Sequence, residues 1–178
     1  MSLALLVFFG TRSHARAAIW KSDATLAHDS ALHYPNGLPA LMLRAQTAAA
    51  QRDVDGTVAA LHAASARGFD RFIDLEREPL WEPLRGDPRF RATVAEIAGV
   101  WISHVADRAN PTAPELRMWG HAHAARGEWD EAIAKLERAL AIGGPGTEGL
   151  RADLAEVRAR RVREERAAQR ASNGATAP

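Results

Sequence analysis

The chain of 178 residues contains no cysteine, two lysines and a single tyrosine. The absence of cysteine excludes a disulfide-stabilised scaffold, thiolate zinc sites and cysteine nucleophiles. Valine and isoleucine are also scarce, with 8 and 6 copies, so the sequence contains few of the residues that favour β-strands. These shortages already remove several classes of fold and of catalytic site.

Alanine is the most abundant residue, with 38 copies. It is the best helix former, and we therefore predict an all-α protein. Apolar residues make up 47% of the chain, and 45 of them have a side chain larger than alanine, which is enough for one modest core. Both signs of charge are spread along the chain and sum to +1, which argues against a nucleic-acid-binding protein that relies on a basic face.

The segment at residues 3–9 (LALLVFF) is an unbroken apolar run that is too short to cross a membrane, because a spanning helix needs about 20 apolar residues. No positive charge precedes it, as a signal peptide would require. Two interpretations stay open: the run packs on the domain, or it is the end of a transmembrane helix that begins upstream. The first predicts a cytoplasmic protein and the second a membrane-associated one.

Apolar spacing and helix-capping residues predict where several helices begin and end. A stripe of Ile19, Leu26 and Leu32 predicts one helix from residue 13 to residue 33, which the turn at residues 34–37 ends. Asp87 and Pro88 form a start signal for another helix, with Asp87 as the N-cap.

Residues 113–146 (APELRMWGHAHAARGEWDEAIAKLERALAIGGPG) form a 34-residue unit that resembles a tetratricopeptide repeat. The family's small and large positions are held by Leu116, Trp119, Gly120, His123, Ala132, Leu136 and Ala139. Gly127 is expected to make the turn between the two helices. Gly120 and Ala132 are expected to let the helices approach closely.

A weaker copy of the same pattern covers residues 38–71. In this copy Arg44 stands where a leucine is usual, and Thr57 stands where an alanine is usual. The residues between the copies, 72–112, are interpreted as a degenerate unit. Residues 68–90, which overlap the end of the weaker copy and the start of the degenerate unit, resemble a closing segment that follows tetratricopeptide repeats in bacterial multidomain regulators. This resemblance implies that Trp81, Leu84 and Phe90 are packing anchors.

We therefore predict antiparallel helix pairs stacked as a short tetratricopeptide-like α-solenoid over residues 13–169. A C-terminal capping helix is predicted at residues 147–169, between a glycine-rich linker at residues 143–146 and a disordered tail at residues 170–178. Residues 1–12 form a separate apolar segment. The capping helix is rich in arginine, which predicts a solvated outer face or, alternatively, a contact with an acidic partner or an anionic membrane.

Another resemblance concerns residues 11–37, which are similar to the junction between the last transmembrane helix and the repeats of membrane-embedded O-mannosyltransferase-like proteins. Trp20, Leu26, Pro35 and Asn36 hold the matching positions. This resemblance favours the interpretation of residues 3–9 as the end of a membrane helix.

The sequence contains no phosphate-binding loop, no nucleophile elbow and no zinc-protease motif. His121 and His123 cannot bind one metal ion from a helix, because residues two apart point about 200° away from each other. We therefore predict a protein that is not an enzyme and that has no metal site or cofactor.

The resemblance to tetratricopeptide repeats implies a concave groove that binds a protein or peptide partner. The groove-facing positions are Met42 and Gln46 in the early copy and Arg117 and His121 in the late one. Arg117 and His121 are expected to contact an acidic group.

Two functional hypotheses follow. The first is a non-enzymatic helical-repeat scaffold that mediates protein–protein interaction, without nucleic acid. The second is the C-terminal repeat module of a membrane-embedded glycosyltransferase whose catalytic part is missing from this chain. The sequence indicates neither the oligomeric state nor the identity of the partner.

Overall fold

A computed structural model describes residues 13–14, 17 and 21–175 of the chain. Every regular element in this part is helical, so the predicted all-α class is confirmed. The chain divides into two compact units, Met1–Phe69 and Asp70–Pro178.

The first unit contains α1 (Asp23–His33), α2 (Leu38–Ala50) and α3 (Val54–Ser65). The second unit contains α4 (Phe72–Arg77), a 3₁₀ helix (Pro79–Leu84), α5 (Pro88–Val105), α6 (Ala113–Ala125), α7 (Trp129–Ile142) and α8 (Thr147–Ala175). No helix among the described residues has the length and apolar content needed to span a membrane. Residues 3–9 lie outside the described part.

The prediction of one continuous helix from residue 13 to residue 33 is wrong. Lys21 and Ser22 are not helical, and the Ser22 hydroxyl accepts a hydrogen bond of 3.2 Å from the backbone N–H of Thr25. A serine in this position favours a helix start, because its side chain replaces a missing backbone partner. Leu32 is 68% exposed and so does not belong to an apolar stripe, Leu26 is half-buried, and Ile19 lies outside the described residues.

Helices α2 and α3 pack together through small side chains, with Ala45, Leu61 and Ala64 fully buried. The two departures from the repeat pattern have local explanations. Thr57 is buried, and its hydroxyl donates to the carbonyl of Asp53 at 2.6 Å. The guanidinium of Arg44 is exposed and donates to the carbonyl of Pro35 at 2.7 Å, so neither polar group is left unsatisfied.

The closing segment of the second unit packs as predicted around Trp81, Leu84 and Phe90, all of which are buried. The rings of Trp81 and Phe90 stack with their centroids 6.1 Å apart. The carboxylate of Asp87 accepts the backbone N–H of Arg89 at 2.8 Å, and this cap confirms the predicted start of α5.

Helices α6 and α7 form a hairpin whose turn is made by Gly127, with a φ of +72°. An added Cβ on Gly120 would lie 2.7 Å from Cγ of Leu136, so glycine is needed for this approach. Helix α8 packs on α7 through Leu150, Leu154 and Val157. It continues to Ala175, past the predicted end at residue 169.

Candidate functional site

The sequence-predicted groove residues are distributed over the two units. Met42 is half-buried and Gln46 exposed on α2 of the first unit. Arg117 and His121 are half-buried on α6 of the second unit. No contact of Met42 or Gln46 indicates a ligand, and their role in a groove stays a prediction.

Arg117 and His121 do contact an acidic group, but the group belongs to the chain itself. Nε of Arg117 donates to Oδ2 of Asp153 on α8 at 2.5 Å, and Nε2 of His121 lies 3.1 Å from the same oxygen. Nη2 of Arg77 on α4 lies 3.2 Å from Nε2 of His121. Arg77, Arg117, His121 and Asp153 form an internal ionic cluster that connects α4, α6 and α8. The sequence indicated an acidic group beside Arg117 and His121 but not which residue supplies it.

The cluster shifts the titration of its members. Burial lowers the pKa of the His121 imidazole, and the nearby cations Arg77 and Arg117 lower it further, while Asp153 opposes the shift. Burial raises the pKa of the Asp153 carboxyl, but the hydrogen bond from Arg117 and the proximity of His121 outweigh burial, so this pKa is lowered overall. The folded state therefore favours a neutral imidazole beside an ionised carboxylate.

The pKa of the His121 imidazole is lowered in the folded chain and is about 6.5 in the unfolded chain. Between these two pKa values, we expect the free energy of unfolding to rise with pH. In this window the unfolded chain carries a proton on the imidazole that the folded chain does not carry, so raising the pH favours folding. Urea unfolding between about pH 5 and pH 7.5 measures the effect. The substitution His121→Gln should flatten the slope. An unchanged slope in His121→Gln contradicts this assignment.

A second site, absent from the sequence predictions, is a concave cleft of about 660 Å³ in the second unit. It lies among α4, the start of α5, the end of α6, the start of α7 and the C-terminal half of α8. Small side chains make up much of its lining: Ala92, Ala95, Ala124, Ala125, Gly127 and Ala167. Five guanidinium groups also line it: Arg85, Arg91, Arg126, Arg160 and Arg163. We call this site the arginine cleft.

Three of the five arginines are held by other groups of the second unit. Nη2 of Arg85 donates to the carbonyl of Glu78 at 2.7 Å, and Nε of Arg126 donates to Glu128 at 2.7 Å. Arg160 is paired more loosely, with its Nη1 3.9 Å from the carboxylate of Glu76. The short hydrogen bonds orient the guanidinium groups of Arg85 and Arg126, whereas Arg160 is held less tightly.

Arg91 on α5 and Arg163 on α8 differ from the other three. Both side chains are exposed, and neither makes a hydrogen bond or ion pair with any residue that the structure describes. Their guanidinium groups are therefore available to a ligand that enters the cleft. A guanidinium offers planar, paired donors that match a carboxylate or a phosphate.

Two carboxylates, Glu76 and Glu164, also line the cleft. Burial raises the pKa of Glu76, although Arg160 and Arg77 act in the opposite direction. Glu164 accepts a hydrogen bond of 3.2 Å from Nε1 of Trp129, and this contact positions the indole at the edge of the cleft. Five arginines against two glutamates leave the cleft with an excess of positive charge.

Among the described residues, no group of three or more histidine, aspartate or glutamate side chains could hold a metal ion. Comparison with protein-family models, curated proteins and solved structures finds no match for this chain.

Proposed function

We propose that the chain is a non-enzymatic helical-repeat scaffold that binds a segment of a partner protein in the arginine cleft. The observation that carries the proposal is the cleft itself, which is concave, lined by small side chains and furnished with unpaired Arg91 and Arg163. The resemblance of residues 113–146 to a tetratricopeptide repeat supports this role, because such repeats present concave surfaces to peptides.

The lining of the cleft suits a polypeptide ligand. Alanine side chains at Ala92, Ala95 and Ala167 leave room for a backbone to approach the helices, while Trp129 offers an apolar surface to a side chain. The volume of about 660 Å³ lies within the range of roughly 300–1,000 Å³ that is typical of ligand-binding clefts. The glycosyltransferase-module hypothesis depends on the resemblance of residues 11–37 and on residues 3–9 as the end of a membrane helix. Residues 3–9 lie outside the described residues, and the hypothesis stays a prediction.

We expect selection from a phage-displayed random dodecapeptide library to enrich peptides that need an open cleft. Ala92 is exposed and lines the cleft, so the indole of Ala92→Trp should occupy part of it. We expect this variant to bind the enriched peptides with an affinity about tenfold or more lower. Ala134→Trp introduces the same bulk at an exposed position of α7 outside the cleft and should leave binding unchanged. Fluorescence anisotropy of the labelled peptides provides the measurement.

The proposal fails if no peptide is enriched above an uncoated surface. It also fails if the enriched peptides bind the Ala92→Trp variant as tightly as they bind the original chain. Circular dichroism of both variants establishes that each retains its helical content.

A further inference from the structure

We infer that the partner segment is acidic, and that Arg91 and Arg163 are the residues that recognise its carboxylates. This inference rests on the proposed function and specifies the chemistry of its ligand. The two arginines come from separate helices, α5 and α8, yet both line the same cleft. A peptide lying in the cleft can therefore contact arginines from two different helices.

The remaining charges of the cleft favour the same ligand. Arg85 and Arg126 are already oriented by hydrogen bonds to Glu78 and Glu128, so their ordering adds little entropic cost when a ligand binds. Arg160 lies 3.9 Å from Glu76, and this longer separation leaves it able to reorient toward an incoming carboxylate. Charge complementarity of this kind raises association rates and selects among partners.

A peptide fits the cleft better than a nucleic acid does. Glu76 and Glu164 lie among the arginines, so the cleft presents separate cations and not the continuous row along which a phosphate backbone binds. Trp129 is the one aromatic side chain of the lining that a ligand can reach, because Phe90 is buried, whereas surfaces that bind single strands stack successive bases on several aromatic side chains. The chain as a whole has a net charge of only +1.

The test compares two double variants in the dodecapeptide selection. Arg91→Glu with Arg163→Glu reverses both unpaired charges of the cleft. Arg138→Glu with Arg170→Glu makes the same change of net charge at two exposed arginines outside it. All four positions are exposed, so each variant should fold, as circular dichroism will verify.

We expect the peptides retained by the original chain to be enriched in aspartate and glutamate. Anisotropy with one such synthetic peptide should show affinity about tenfold or more lower for the Arg91→Glu, Arg163→Glu variant and within about twofold for the control. A version of the peptide with amides in place of its carboxylates should bind the original chain with a similarly reduced affinity. Increasing salt should weaken binding of the acidic peptide but not of the amide version.

If the selected peptides lose binding to Ala92→Trp but are not enriched in aspartate and glutamate, the inference is wrong and the proposed function stands. Equal binding of the acidic and amide peptides would lead to the same conclusion. If duplex DNA displaces the acidic peptide and binds more tightly than it, the ligand class is wrong. If no cleft-dependent peptide is retained, the proposed function fails and the inference fails with it.

Discussion

Replacing Trp81 with alanine is expected to lower the free energy of unfolding of the second unit by about 3–5 kcal/mol. The side chain is 1% exposed, and its ring stacks on Phe90 in the core of the closing segment. Its Nε1 also donates to Glu78 at 3.3 Å, so truncation removes a hydrogen bond together with most of the packing. The remaining cavity would lie beneath α5, whose first turns form one wall of the arginine cleft.

Urea unfolding followed by circular dichroism measures the effect, and hydrogen exchange in α5 locates it in the second unit. The substitution Trp81→Phe keeps an aromatic ring in the stack and should cost less than Trp81→Ala. A loss below about 1 kcal/mol for Trp81→Ala would show that this residue is not the packing anchor of the segment.

Replacing Gly120 with valine should lower the free energy of unfolding of the second unit by about 3 kcal/mol, because it overpacks the contact between α6 and α7. A Cβ there would lie 2.7 Å from Cγ of Leu136 and 3.2 Å from the carbonyl oxygen of Ala132. Leu136 is fully buried in the core of the second unit, so a shift of its side chain would displace other packed side chains. The gain in helix propensity over glycine, below about 1 kcal/mol, is too small to offset this clash.

The matched control is Gly99→Ala, which also places a side chain on a glycine within a helix. A Cβ at Gly99 meets only the end of the flexible Arg126 side chain, which can move aside. We therefore expect Gly99→Ala to be neutral or to stabilise α5 by up to about 1 kcal/mol. If Gly120→Val unfolds at the same urea concentration as the original chain, α6 and α7 do not approach each other as closely at Gly120 as the structure shows.

Local features of the fold were predictable because their causes lie close together in the sequence. Asp87 and Pro88 form a cap within one turn of helix, and Gly127 adopts a positive φ between two adjacent helices. The helix break at Ser22 was equally local, but the apolar spacing on either side of it outweighed the capping signal of a single serine.

The site was less predictable because it depends on contacts between distant residues. The resemblance to tetratricopeptide repeats placed Arg117 on the groove-facing side, and its charge led us to expect an acidic group there, but neither could indicate that Asp153 of the same chain supplies that group. The arginine cleft combines Arg91 of α5 with Arg163 of α8, and no spacing rule connects two residues so far apart. The arginine-rich capping helix was the one available signal, and it indicated an acidic partner as an alternative to a solvated face.

Docking of a partner segment in the arginine cleft would change the surroundings of the backbone amides that line it. Backbone amide shifts of the isotopically labelled chain, recorded by NMR during titration with a selected acidic dodecapeptide, test it directly. We expect the largest shift changes at Ala92, Ala95, Ala124 and Ala167, and we expect them to vanish in the Arg91→Glu, Arg163→Glu variant. Largest changes at Met42 and Gln46 of α2, or changes spread evenly over both units, would contradict it.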